Sequence, residues 1–149
     1  MRLATLSPVW ANCRPNRKPF EITLRRPHCE AGDELAIGPT NSGFGKGQRH
    51  IWGRATIGEQ WRAPRAALYE CLASKGLLAK LLDYEKEYLK EHINKYDECA
   101  EPWVTELNDG RGGQMELLHA GIQLASLPGT SMGWPYLQAE AAAAIREAI

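Results

Sequence analysis

Lys18 and Glu21 stand three residues apart on a basic segment, residues 18–26 (KPFEITLRR), and no other pairing in the chain is better placed to do chemistry. A lysine beside a carboxylate becomes reactive only when desolvation brings one of the two toward neutrality at physiological pH. Left in water, the same pair is a surface ion pair worth about 0–1 kcal/mol. The residues alone leave both readings open.

Arg14, Arg17, Arg25 and Arg26 surround this segment and could form a phosphate-binding rim, with Trp10 or Trp52 offering a face on which a base stacks. Arginines also solvate an open sheet edge, and a tryptophan on an apolar strand, as Trp52 is, belongs in a core. The glycine-rich stretch 38–48 (GPTNSGFGKGQ) brings Thr40, Ser42 and Lys46 together, but Lys46 precedes Gly47 and a strand follows. A phosphate-cradling P-loop needs its lysine before Ser or Thr at the start of a helix, so this is a loop over a cleft or a linker. His28, His50, His92 and His119 show no metal-ligand spacing, and His92 on an apolar stripe reads as a core histidine. Residues 126–133 (SLPGTSMG) contain no GxSxG elbow. Neither a metal nor a cofactor is expected.

The elements that must position these residues follow from periodicity. Residues 2–6 read as a short strand, and residues 9–16, bordered by Pro8 and Pro15, allow a turn or two of helix. Phe20, Ile22 and Leu24 alternate with Glu21, Thr23 and Arg25, the pattern of a strand with one face in the core and the other toward water or ligand. Gly32-Asp33 turns the chain into a strand over 34–37, and 50–57 predicts another, with a bulge or close approach at Gly53. From Pro64 the period lengthens: Leu68, Leu72, Leu78, Leu81, Leu89, His92 and Ile93 mark amphipathic helix to about residue 98, broken near Gly76. Glu91 and Lys95 are spaced for a pair on its wet face. A strand over 103–107 ends in Asn108-Asp109-Gly110, a hairpin signal. Residues 115–125 fit strand or helix, and an alanine-rich helix over 136–149, with Ser131 as a cap, closes the chain.

Bulk properties bound what these elements can build. A chain of 149 residues, 44% hydrophobic, suffices for one domain spanning 1–149 with its own core. Residues 1–62 hold ten Lys or Arg against five Asp or Glu, and the remainder eight against thirteen. That split allows a local anion site while excluding non-specific binding of nucleic acid over the whole surface. Cys13, Cys29, Cys71 and Cys99 form no CxxC pair and are expected as free, mostly buried thiols. No apolar run is long enough for a membrane span and no secretory leader is spelled out, so a cytoplasmic location is expected.

Over roughly the first 60 residues the chain resembles the ASCH family of the PUA-like superfamily. Lys18 and Glu21 match the Lys and Glu of that family's GxKxxExR-like motif, Gly32-Asp33 its turn, and Gly53-Arg54-Ala55 its later GxA-like strand. Asn16 and Thr23 stand where the motif has glycine and arginine. The resemblance implies an α+β fold: a small β-barrel carrying a helical insertion over about 64–100 and a C-terminal helix. It further implies a nucleotide, nucleoside or single-stranded RNA bound in a cleft beside Lys18, with Trp10, Arg17, Arg25, Arg26, Thr40, Ser42 and Lys46 as contacts. In a hydrolytic version, an acylated nucleoside or an RNA is cleaved: Lys18 holds the developing oxyanion, Glu21 shuttles the proton and Thr23 or Thr40 orients the group. The alternative is a non-catalytic interaction module, such as a phage or mobile-element factor, whose insertion presents Tyr69, Tyr84, Tyr88 and Tyr96 to a protein partner.

Overall fold

A computed structural model of the chain describes residues 1–6, 18–39, 50–51, 53–112, 122–123 and 134–149. These form, in order, β1 (Arg2–Leu6), β2 (Phe20–Thr23), β3 (Glu34–Pro39), β4 (His50–Ile51), β5 (Gly53–Arg62), α1 (Arg65–Ser74), α2 (Asp83–Asn94), β6 (Trp103–Gly112), β7 (Ile122–Gln123) and α3 (Ala139–Ala148). Five strands make one curled sheet, a half-barrel in the order β1-β3-β5-β6-β2, and β4 pairs with β7 apart from it. Within the five-stranded sheet β1 runs parallel to β3, whereas the other pairings are antiparallel.

Alternation along the strands sends side chains to two different cores. Leu35, Ile37, Ala55, Ile57 and Leu107 share the inner face with Ala4, Cys29 and Trp134. On the outer face Phe20, Ile22 and Val104 meet Leu68 and Leu72 of α1 and Leu89 and Ile93 of α2. A third cluster seats Ala141 and Ile145 of α3 on Leu3 and Ala36. Each such buried leucine, isoleucine or phenylalanine contributes about 1.5–3 kcal/mol, so the two helical layers are held by their apolar stripes.

The helical insertion breaks where glycine allows it. Gly76 has φ 74°, and the Gly76 amide donates to the Ala73 carbonyl while the Leu77 amide donates to the Leu72 carbonyl. These two bonds close α1 and turn the chain sharply toward α2. At the start of α2 the buried Glu85 accepts from the Leu82 amide at 3.0 Å. The pair expected between Glu91 and Lys95 does not form; Lys90 instead reaches Glu87 at 3.2 Å.

The Asn108-Asp109-Gly110 signal makes a bulge, not a hairpin. β6 continues through it to Gly112, and between the Thr56–Asn108 and Arg54–Arg111 pairings β6 carries one residue more than β5. Asp109 is that residue, in the left-handed region at φ 51°. The same local preference of Asn, Asp and Gly for positive φ serves a bulge as well as a turn, and pairing with β5 decides between them. The strand expected over 50–57 divides into β4 and a β5 that reaches Arg62. The helix expected over 9–16, the Ser131 cap and most of 115–125 lie outside the described residues.

Candidate functional site

Lys18 and Glu21 sit together inside the protein. Their side chains are only 1% and 9% exposed, and the Lys18 ammonium lies 2.5 Å from Glu21 Oε2. The sequence placed Glu21 on a strand face open to water or ligand. β2 is covered on both faces instead, because Glu21 lies opposite Thr105 on β6 and shares the inner face with it.

From the far side of the sheet, the end of α2 closes over the edge of β2. The Tyr96 hydroxyl lies 3.5 Å from the Ile22 carbonyl and 3.3 Å from His92 Nε2. Burial pushes the Glu21 carboxyl above its ordinary value, and the Lys18 charge pulls it back only in part. The Tyr96 phenol is pushed up to about 12, first by burial and then by the Glu21 charge. Burial, reinforced by the positive charges of Lys18 and Lys95, holds the His92 imidazolium below its usual range. His92, expected as a core histidine, is instead half-buried against Tyr96 at the edge of the helical layer.

Lys18 also lines a cleft of about 570 Å³. Leu77 and Lys80, from the turn that Gly76 makes possible, form one wall, and Leu107, Asn108 and Asp109 form the other. Among the described residues Lys80 has no ion-pair partner, so its ammonium is available to an anion. The cleft therefore combines one buried cation, one solvated cation, a side-chain amide, a carboxylate and an apolar wall, which suits a polar ring bearing negative charge. Nothing in the sequence pattern marks Lys80 or Thr105 as site residues, and the Asn-Asp-Gly signal marks Asn108 and Asp109 only as a turn.

Asp109 bears on the stability of the bulge. Aspartate tolerates positive φ better than most residues but still at some cost relative to glycine. Asp109→Gly should raise the unfolding free energy by about 0.5–1 kcal/mol, less than the full left-handed penalty because glycine is the more flexible in the unfolded chain. Urea titration reads that gain.

The other expected contacts are distributed differently. Thr23 Oγ1 donates to the Arg25 carbonyl at 2.7 Å, at the far end of β2 from Lys18. Arg26 Nε donates to Gln60 Oε1 at 3.0 Å and its guanidinium lies over the Trp103 ring. Arg25 is exposed, and neither arginine lines the cleft. Trp10, Arg17, Thr40, Ser42 and Lys46 lie outside the described residues, as do Arg14, Cys13 and the Trp52 side chain. The thiols of Cys29, Cys71 and Cys99 are free, but Cys99 is exposed. Among the described residues no group of three His, Cys, Asp or Glu side chains converges as a metal site would, and no helix is long and apolar enough to cross a membrane.

No family model and no curated protein matches the chain. Solved structures do match it in fold. The crystal structure of ASCH from Zymomonas mobilis superposes with a TM-score of 0.58 at 14% identity, over 98% of this chain and 93% of that one. A tyrosine-to-phenylalanine mutant of the same protein gives 0.58 at 15% identity, over 98% and 96%. The likeness seen in the first 60 or so residues thus extends, as a fold, across nearly the entire chain, helices included.

Proposed function

We propose, taking as premise the fold shared with the ASCH structures, that the cleft beside Lys18 binds a nucleotide, a nucleoside or a segment of single-stranded RNA. What carries the reading is the lining of the cleft: a buried lysine paired with Glu21, Lys80 at the wall, and Asn108 and Asp109 opposite. Asn108 offers an amide donor and acceptor and Asp109 a carboxylate acceptor for a base edge or sugar, and Lys80 offers a charge for phosphate.

A hydrolytic reading gains support from Glu21, whose carboxyl burial pushes above its ordinary value, as suits a group that takes and returns a proton. In it, Glu21 removes a proton from water, the water oxygen bonds to the acyl carbon, and Lys18 holds the resulting oxyanion. Collapse breaks the C–N bond and Glu21 returns the proton to the departing amine, leaving a carboxylic acid and a free nucleoside. Thr105, opposite Glu21, is a nearer hydroxyl than Thr23. The domain as a whole, 1–149, acts as one unit in either version.

The rival reading, a protein-interaction module, is favoured by the outward side of α2, where Leu82, Tyr84 and Tyr88 are exposed. Tyr69 and Tyr96 pack against the core instead. Lys80→Ala and Asn108→Ala, both at exposed positions, separate the two. Titration of the protein with an acylated cytidine and with a short single-stranded RNA should show at least a tenfold loss of affinity in each variant, with unfolding curves unchanged. Wild-type affinities in both variants would move the function away from the cleft.

A further inference from the structure

Two arginines face each other across β5 and β6. Arg54 and Arg111 are direct partners in the antiparallel register, a placement that sets their Cβ atoms about 4.5–5.5 Å apart and is unfavourable for like charges unless something neutralises them. Both line a second, smaller cavity of about 180 Å³ on the outer face of the sheet, together with Thr56 and Glu34. Glu34 does not neutralise the two. Arg146 of α3 takes its carboxylate with a fork of contacts at 2.8, 2.9 and 3.2 Å, leaving Arg54 a single longer approach of 3.6 Å. Arg111 is exposed and has no ion-pair partner among the described residues.

The two cavities meet at one residue. Asp109 lines both the cleft beside Lys18 and the arginine cavity, because the bulge that it forms lies between Asn108, which borders the first, and Arg111, which borders the second. We infer that Arg54 and Arg111, with the Thr56 hydroxyl, form a phosphodiester-binding subsite for the nucleotide adjoining the one held in the cleft. The ligand of this protein is then a single-stranded oligonucleotide, not a free nucleoside.

The inference rests on the cleft reading of the preceding section and extends it. Planar guanidinium groups from two strands can each give a pair of parallel hydrogen bonds to phosphate oxygens, which matches the pairing of Arg54 and Arg111. A bound phosphodiester would also relieve their repulsion. Arg54 and Arg111 face the carboxylates of Glu34 and Asp109 on the lining itself, and because Arg146 pairs with Glu34 from outside it, the surroundings of the cavity are net positive; Asp109 at the junction would accept from a sugar hydroxyl.

The test measures affinity as a function of salt for three probes: a nucleoside, its 5′-monophosphate and a short single-stranded RNA. Arg111→Ala is the first variant, being exposed and unpaired; Arg54→Gln, which keeps part of the side-chain volume, is the second. Each should weaken RNA binding about tenfold and lower the salt slope by about 0.7, the share of one phosphate contact on a single strand. Nucleoside affinity should stay as in the wild type. Should the variants hold RNA with wild-type affinity and slope while Lys80→Ala loses it, the subsite is wrong and the cleft stands. Should the variants lose only the 5′-monophosphate, the site takes a terminal phosphate and the oligonucleotide is overturned. Failure of the wild type to bind any of the three probes would remove the cleft reading, and this inference with it.

Discussion

Lys18→Met lowers the unfolding free energy by about 3–5 kcal/mol at pH 8, the scale on which removing one partner of a buried ion pair destabilises a protein. Methionine keeps most of the lysine stem and fills the same space, so loss of packing contributes little. The damage is electrostatic: a 9% exposed carboxylate is left without the ammonium that compensates its burial. The pH dependence follows from the sign of the Glu21 shift. Its folded-state pKa already lies above the ordinary 4.5 and rises further without Lys18. A carboxyl with a raised pKa contributes stability fully below its unfolded value, and that contribution is lost as pH rises through the folded value. The deficit of Lys18→Met is therefore largest at pH 8 and shrinks toward pH 5. Adding Glu21→Gln to it should recover most of the loss at pH 8. Urea denaturation at the two pH values is the measurement, and an equal loss at both would show that Glu21 is not the stranded charge.

Leu89→Ala should cost about 2–5 kcal/mol, because Leu89 is fully buried at the centre of α2 against Phe20, Ile22 and Val104. The consequence reaches beyond stability. α2 carries His92, and Tyr96 follows just past its end, so a loosened α2 admits water to the edge of β2 and to the Lys18–Glu21 pair. His92, held down chiefly by burial, should then titrate nearer its ordinary 6.5. NMR titration of the histidine ring together with a denaturation curve tests both halves. A large loss of stability with the His92 pKa unmoved would mean that α2 closes the site through contacts other than Leu89.

Much of the fold was legible, and the reasons differ by element. Gly32 turns the chain at φ 92°, as its pairing with Asp33 implied, and the amphipathic insertion breaks at Gly76 because its backbone needs a positive φ there. These are local signals, carried by residues whose conformational preference is their own. Burial of Glu21 was not legible, since its cover comes from Thr105, Tyr96 and α2, all more than sixty residues away. The length of β5 was hidden for a similar reason. Gly58 and Glu59 interrupt the apolar alternation, and only the bulged pairing with β6 shows that the strand continues through them to Arg62. The Asn108-Asp109-Gly110 signal fits a hairpin turn or a bulge equally well, and only the pairing with β5 selects the bulge. In this chain the candidate site is built mostly from residues that sequence periodicity treats as connections: the Gly76 turn and the Asp109 bulge.

The outermost strand of the half-barrel carries a timing constraint. The Leu3 amide donates to the Pro135 carbonyl and the Leu137 amide to the Met1 carbonyl, both at 2.8 Å, and Arg2 lies over the Tyr136 ring. During vectorial synthesis, β1 therefore precedes the neighbour formed by residues 135–137, which reaches it only after some 130 further residues have left the ribosome. Until then one of its edges offers unpaired amides and carbonyls to any other nascent chain. Segments this distant in sequence also meet slowly, so closure of that edge is set to be a late event in maturation.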